Sequence, residues 1–314
     1  MGFQGQHIIS IGDFSPADIR QLLHLAHRFS QQPQPDLFAG KLMATLFFEP
    51  STRTRLSFEA AMQKCGGRVI GFSEASMTST KKGESLADTI RMVEQYADVI
   101  VLRHPRDGSA RLASEVSSIP VINGGDGANQ HPSQTFLDLF TIDTLFPGRL
   151  ETHQDKPLVV AFAGDLRYGR TVHSLLAALS HFPVKILCCA PRGLEMPEHH
   201  IQLARKAGVE ICDIPDLATA VREADILYMT RLQEERFPDP IEFDHVKSTY
   251  RLTARLLRDA QPSLRILHPL PRINEIDRDV DSTPHAYYFP QAGTGIPVRQ
   301  ALLALVLGKE LSHG

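Results

Sequence analysis

LMATLFFEPSTRTRLSFE, residues 42 to 59, opens as a buried strand and closes as a helix. Pro50 punctuates the change, and Ser51 suits the helix N-cap ahead of an apolar face at Leu56, Phe58, Ala61 and Met62. The unpaired backbone N–H groups of such a helix start, with the positive end of its dipole, attract an oxyanion. Ser51, Thr52 and Thr54 add hydroxyls, and Arg53 adds a guanidinium fork that matches phosphate in two parallel hydrogen bonds. A capped helix with solvated arginines explains an isolated S-T-R-T-R equally well, so the surrounding pattern has to decide.

Working outward, apolar runs alternate with segments of helical period almost throughout, which predicts an α/β fold with parallel sheets and crossover helices. In the first half RVIGF, DVIVLRH and IPVIN join LMATLFF as strands, and SPADIRQLLHLAHRF, SLADTIRMVEQYA and SQTFLDLFTIDTLF read as helices. In the second, PLVVAFAG, VKILCCA, VEICDI, DILYMTR and LRILHPL read as strands, separated by RTVHSLLAALSHF, HIQLARKAG, LATAVREA and LTARLLRDA as helices. A chain of 314 residues suits two domains of roughly 150 residues each. The polar stretch PGRLETHQDKP, residues 147 to 157, is the natural boundary. We expect a first domain over 1–147 and a second over 148–289, with the apolar helix of about 290–314 returning to the first.

Composition narrows the partners. With 33 basic against 36 acidic residues the net charge is −3, which gives no sign of a nucleic-acid or anionic-membrane surface. No segment reaches transmembrane length and the start MGFQGQ lacks a leader pattern, so a cytoplasmic setting is expected. Cys65, Cys188, Cys189 and Cys212 show no C-x-x-C spacing, so we expect buried thiols rather than a disulfide or zinc framework. Neither a metal nor a cofactor is implied.

Ligands of open parallel sheets collect beyond the carboxyl ends of the strands. STRTR follows LMATLFF, Arg103 and His104 follow DVIVL, GDLRYGR follows LVVAFA, TRLQ follows DILYM, and HPLPR follows LRIL. AGDLRYGR lacks the G-x-G-x-x-G spacing and the downstream acidic residue of a dinucleotide site, and STRTR lacks the glycines and lysine of a P-loop. Arg170 and Arg231, each beyond a second-half strand, suit a ligand with carboxylates, although either alone could be a surface ion pair. His131 precedes Pro132 at a predicted helix start, where a neutral imidazole could polarise a carbonyl. STKKGESLADT, with Ser79, Lys81 and Lys82, reads as a polar loop capped by Glu84 or Ser85.

Together, FFEPSTRTRLSFE, KKGESLADT, RHP, GDGANQHPSQTFLDL, GDLRYGRTVHSL, YMTRLQEER, HPLPR and YYFPQAGTGIPVRQALLALVL resemble, in order, the aspartate and ornithine carbamoyltransferase family. HPLPR at 268 to 272, in place of a cysteine-containing H-C-L-P, and the absence of an S-M-G segment resemble the aspartate branch. Arg170 and Arg231 agree, since they would repel a cationic amino acid. The resemblance implies two doubly wound domains and transfer of the carbamoyl group of carbamoyl phosphate to L-aspartate, the committed step of pyrimidine synthesis. It also implies a homotrimer with shared sites, in which Ser79 and Lys82 reach in from the neighbouring subunit, and leaves open a separate regulatory chain. By the same resemblance, Ser51, Thr52, Arg53, Thr54 and Arg103 hold the phosphate, and Arg103, Thr54 and His131 meet the carbonyl oxygen. Gln134 and the carbonyls of Leu270 and Pro271 fix the carbamoyl NH2, and Lys82, Arg170, Arg231 and Gln233 grip aspartate. The rival readings are a carbamoyltransferase for ornithine or another amine, and a non-catalytic scaffold.

Overall fold

The structure, a computed structural model, describes residues 3–74, 83–150, 156–232 and 250–311. It divides into two compact units, one of residues 1–140 with 293–314 and the other of residues 141–292.

In the first unit four parallel strands, β1 (Leu42–Phe47), β2 (Arg68–Phe72), β3 (Val99–His104) and β4 (Val121–Asp126), lie in the order β2-β1-β3-β4. The winding therefore reverses between β1 and β3. At such a switch point crossovers leave in opposite directions and a crevice opens beyond the strand ends. Strand β1 is buried from Met43 to Phe47, as expected for a strand covered on both faces. The helices are α1 (Pro16–Gln31), α2 (Thr52–Lys64), α3 (Leu86–Val93), α4 (Ser109–Val116) and α5 (Pro132–Leu145). Helix α1 starts at a capping box of Ser15 and Asp18 with Pro16 in its first turn, and buries Ile19, Leu22, Leu23, Ala26 and Phe29.

Two readings need correction here. Leu56 was expected on the core face of α2, but it is 58% exposed. Thr54, Phe58, Ala61 and Met62 make the buried face, and Leu56, two positions from Phe58, falls about 200° away on a helix of 3.6 residues per turn. Helix α4 was not anticipated; it buries only Ser109, Ala110 and Ala113, too small an apolar signal to stand out in the sequence.

The second unit carries β5 (Leu158–Ala163), β6 (Val184–Cys189), β7 (Glu210–Asp213), β8 (Ile226–Met229) and β9 (Arg265–Leu267), all parallel, in the order β7-β6-β5-β8-β9. Its switch point lies between β5 and β8. Helices α6 (Arg170–Leu179), α7 (Glu198–Lys206) and α8 (Leu217–Glu223) connect strands, and the core joins Ala161, Leu187, Leu227 and Ile266 to Leu217, Val221 and Leu257. LTARLLRDA, read as a helix, is not one. The Leu252 N–H donates to the Glu275 carbonyl and its carbonyl accepts from Asp277 N–H, so only a 3-10 turn, Leu256–Asp259, remains.

The last helix, α9 (Tyr288–Val306), begins close to its expected start near 290 but ends at Val306, short of the expected 314. From Gly293 on it clusters with the first unit, where Val298, Ala301, Leu302, Leu303 and Ala304 are fully buried. Gln300 donates to the Cys65 sulfur at 3.2 Å, and the Gly5 N–H donates to the Val306 carbonyl. Cys65, Cys188 and Cys189 are buried as expected, whereas Cys212, on the edge strand β7, is only half-buried. Among the described residues no helix is long and apolar enough to cross a membrane.

Candidate active site

In the first unit the switch point carries the S-T-R-T-R loop. Strand β1 delivers Phe48, Glu49 and Pro50 beyond the sheet, and α2 begins at Thr52 with Ser51 as its N-cap residue. Ser51 makes no side-chain capping hydrogen bond, unlike Ser15 of α1 and Ser85 of α3. The start of α2 thus keeps N–H donors and a hydroxyl that capping does not consume. Arg103 is the penultimate residue of β3, locked to the end of β1 by the Phe48 N–H donating to its carbonyl at 2.8 Å. The Arg103 guanidinium pairs with Glu49 at 2.6 Å and donates to the Gly124 carbonyl at 3.2 Å.

Arg53 and Arg103 lie close enough to repel. Burial, and then the charge of Arg103, pull the Arg53 guanidinium below its ordinary range. Two like charges at one switch point are stabilised by an anion between them. Thr54 and His131 also meet, with His131 Nε2 3.3 Å from Thr54 Oγ1 and both residues buried. The His131 Nδ1 lies 3.3 Å from the Ser133 hydroxyl, and α5 begins at Pro132 directly after it. One turn on, Gln134 donates through Nε2 to Asp138 Oδ1 at 3.0 Å.

The second unit repeats the logic at its own switch point. After β5 comes Gly164, at φ 112°, where a side chain would collide with the Thr230 carbonyl beyond β8. The loop then turns under Asp165, whose Oδ1 accepts from the Arg167 and Tyr168 N–H groups, and Arg170 opens α6. Arg231 follows β8 after Thr230, so Arg170 and Arg231 both lie beyond the carboxyl ends of neighbouring parallel strands.

Beyond β9, Leu270 and Pro271 sit in a tightly bonded loop. Leu270 is a non-glycine residue at φ 56° and its peptide to Pro271 is cis. Its N–H donates to His268 Nδ1 at 2.7 Å, so His268 must donate through Nε2 to Glu275 Oε1, 2.8 Å away. Glu275 also accepts from the Ile273 and Asn274 N–H groups; burial would raise its pKa, but the bond and charge of His268, with the Ile273 N–H, hold the carboxyl below the ordinary range. A non-glycine residue in the left-handed region is strained, and these hydrogen bonds hold it there.

Ser79, Lys82 and Gln233, expected at the site, lie outside the described residues. Glu49 and Asp138 were missed in the sequence. Glu49 had a visible signal, a lone acid ahead of the hydroxyl and guanidinium run from Ser51 to Arg55, whereas Asp138 looks like any polar residue of an amphipathic helix. Among the described residues no cluster of His, Cys, Asp and Glu could hold a metal ion.

A family model described as the aspartate/ornithine carbamoyltransferase carbamoyl-P binding domain matches residues 6–144, and the Asp/Orn binding domain of the same family matches residues 156–306. The chain belongs to the aspartate/ornithine carbamoyltransferase family. Within it, the chain is 52% identical over 312 residues to the aspartate carbamoyltransferase catalytic subunit of Thermococcus gammatolerans, covering 98% of this chain and 99% of that one. It is 52% identical over 304 residues to the protein of that name from Chromobacterium violaceum, covering 97% and 98%. Among solved structures, the catalytic subunit of M. jannaschii aspartate transcarbamoylase superposes with a TM-score of 0.87 at 45% identity, covering 95% of this chain and 96% of that one. The Trypanosoma cruzi aspartate transcarbamoylase in complex with N-(phosphonacetyl)-L-aspartic acid gives 0.89 at 38% identity, covering 97% of each. Together the two family models span nearly the whole chain.

Proposed function

We infer that the chain transfers the carbamoyl group of carbamoyl phosphate to the amine of L-aspartate, giving N-carbamoyl-L-aspartate and phosphate. The observation that carries this is the uncapped start of α2 with Arg53 and Arg103 crowded beside it, a site built for a small phosphorylated ligand. Relatives solved with carbamoyl phosphate, with aspartate and phosphate, and with carbamoyl aspartate and phosphate support the same substrates.

On this reading Ser51, Thr52, Arg53, Thr54 and Arg103 hold the phosphate. Thr54, Arg103 and His131 donate to the carbonyl oxygen, and Gln134 with the Leu270 and Pro271 carbonyls accepts from the carbamoyl NH2. Arg170, Arg231, Gln233 and Lys82 take the two carboxylates of aspartate. The neutral amine attacks the carbonyl carbon, negative charge develops on the carbonyl oxygen, and the C–O bond to phosphate breaks as the amide forms. The departing phosphate accepts the amine proton, so no side chain becomes covalently modified. What the protein supplies is placement and donors fixed before the charge appears. Ser79 and Lys82 belong, on this reading, to a loop that completes a neighbouring subunit's site in a homotrimer.

Phosphate release from carbamoyl phosphate by the purified chain tests the proposal. Release should require L-aspartate and should not occur with L-ornithine; release with ornithine alone would move the chain to the other branch, and none with any amine would make it a scaffold.

A further inference from the structure

We propose that Asp138, anchored by Arg299, is a positioning residue that fixes the amide of Gln134 so that its oxygen faces the carbamoyl NH2, and thereby sets the preference for a carbamoyl over an acetyl group. The inference rests on the placement of Gln134 given above and deepens it. Three elements of the first unit converge. Arg299 of α9 is 2% exposed, and its guanidinium lies over the Phe58 ring of α2 at 5.0 Å. Gly295, one turn earlier on α9, leaves the room that the guanidinium occupies, since a Cβ there would collide with Arg299 Nη1. Asp138 of α5 is fully buried and near enough for its charge to stabilise Arg299.

The orientation follows from donor and acceptor inventories. A carboxylate oxygen facing a guanidinium serves as a hydrogen-bond acceptor. Gln134 must therefore turn its NH2 toward Asp138, as the 3.0 Å Nε2 to Oδ1 bond shows, and its Oε1 is directed away. A carboxamide that could flip would offer the ligand a donor half the time, and an NH2 group facing an NH2 group gains nothing. An acetyl group, with a methyl in that place, has no use for the acceptor.

Two stable ligands of equal shape read this out: phosphonoacetamide, which carries the amide, and 2-oxopropylphosphonate, which carries a methyl ketone. Dissociation constants for both and for inorganic phosphate are measured by calorimetry. Replacing the buried pair with apolar residues of similar size, Asp138→Leu with Arg299→Met, should preserve folding, which a melting curve checks. It should cut the preference for the amide roughly tenfold, the loss of about one hydrogen bond, while phosphate and the ketone bind within about twofold of the native chain. Asp138→Asn, which keeps the shape but can present either a donor or an acceptor, should lose part of the preference. Gln134→Met should match the pair variant, and adding Gln134→Met to it should cost nothing more. An unchanged preference in the pair variant, or a parallel weakening of all three ligands, overturns the role of Asp138. A native chain that binds phosphate but shows no amide preference would instead remove Gln134 from the site, and this inference with it.

Discussion

Arg103 is gripped from two sides, by the Glu49 carboxylate and by the Gly124 carbonyl, so its guanidinium holds one direction before any ligand arrives. That is the condition under which a donor stabilises a transition state without reorganising. Substituting Arg103 or His131 by alanine should slow the chemical step by about 2.7 to 4 kcal/mol, on the scale of a lost oxyanion donor. Single-turnover formation of carbamoyl aspartate measures this, and a variant with native turnover loses the role. Single residues were readable in the sequence where their partners are local. Ser51, Arg53 and Thr54 sit within one turn and announce themselves; Glu49 with Arg103, and Asp138 with Arg299, come together only through the sheet and the returning helix.

At the scale of elements, α6 and α7 pack through histidines. The His173 and His200 rings lie 4.2 Å apart and His199 lies 4.0 Å from His200. Burial first, and then the neighbouring His173 and His199, press His200 down to about 4 from 6.5. Burial likewise lowers His173, against the opposing effect of its contact with the Leu166 carbonyl. The unfolded chain therefore binds more protons than the native one between these values. Stability from this contact is complete above about 6.5 and drains away as the pH falls toward about 4. The melting temperature should drop through that window, and His200→Gln should flatten the drop; an equal fall in the variant would place the acid sensitivity elsewhere. Elements were legible where a continuous apolar run stands between turn residues, as in β1 and β5. LTARLLRDA failed because its helical spacing competes with strand-like bonds from Leu252 to Glu275 and Asp277, partners that no local window contains.

Taken whole, the molecule was legible as α/β with parallel sheets because runs buried on both faces leave so plain a mark. The order of strands was not, since alternation of strand and helix is the same for every winding. Two tests belong here. Residues 1–140 alone should show weak tertiary packing, and joining 293–314 by a flexible linker should restore a cooperative melt; equal cooperativity without the segment would deny α9 its place in that core. Mixing an inactive Arg53→Ala chain with an inactive Lys82→Ala chain should regenerate activity through hybrid trimers. Absence of recovery after demonstrated exchange would return Lys82 to its own chain. The late arrival of α9 bears on how the protein is made. A ribosome finishes the opening lobe's sheet long before it translates Val298 to Val306, so that lobe stays unsealed on the emerging polypeptide until the closing helix arrives. Its birth includes an interval in which the surface that Val298 and Leu302 will cover is bare, and a truncation that removes this helix leaves it so.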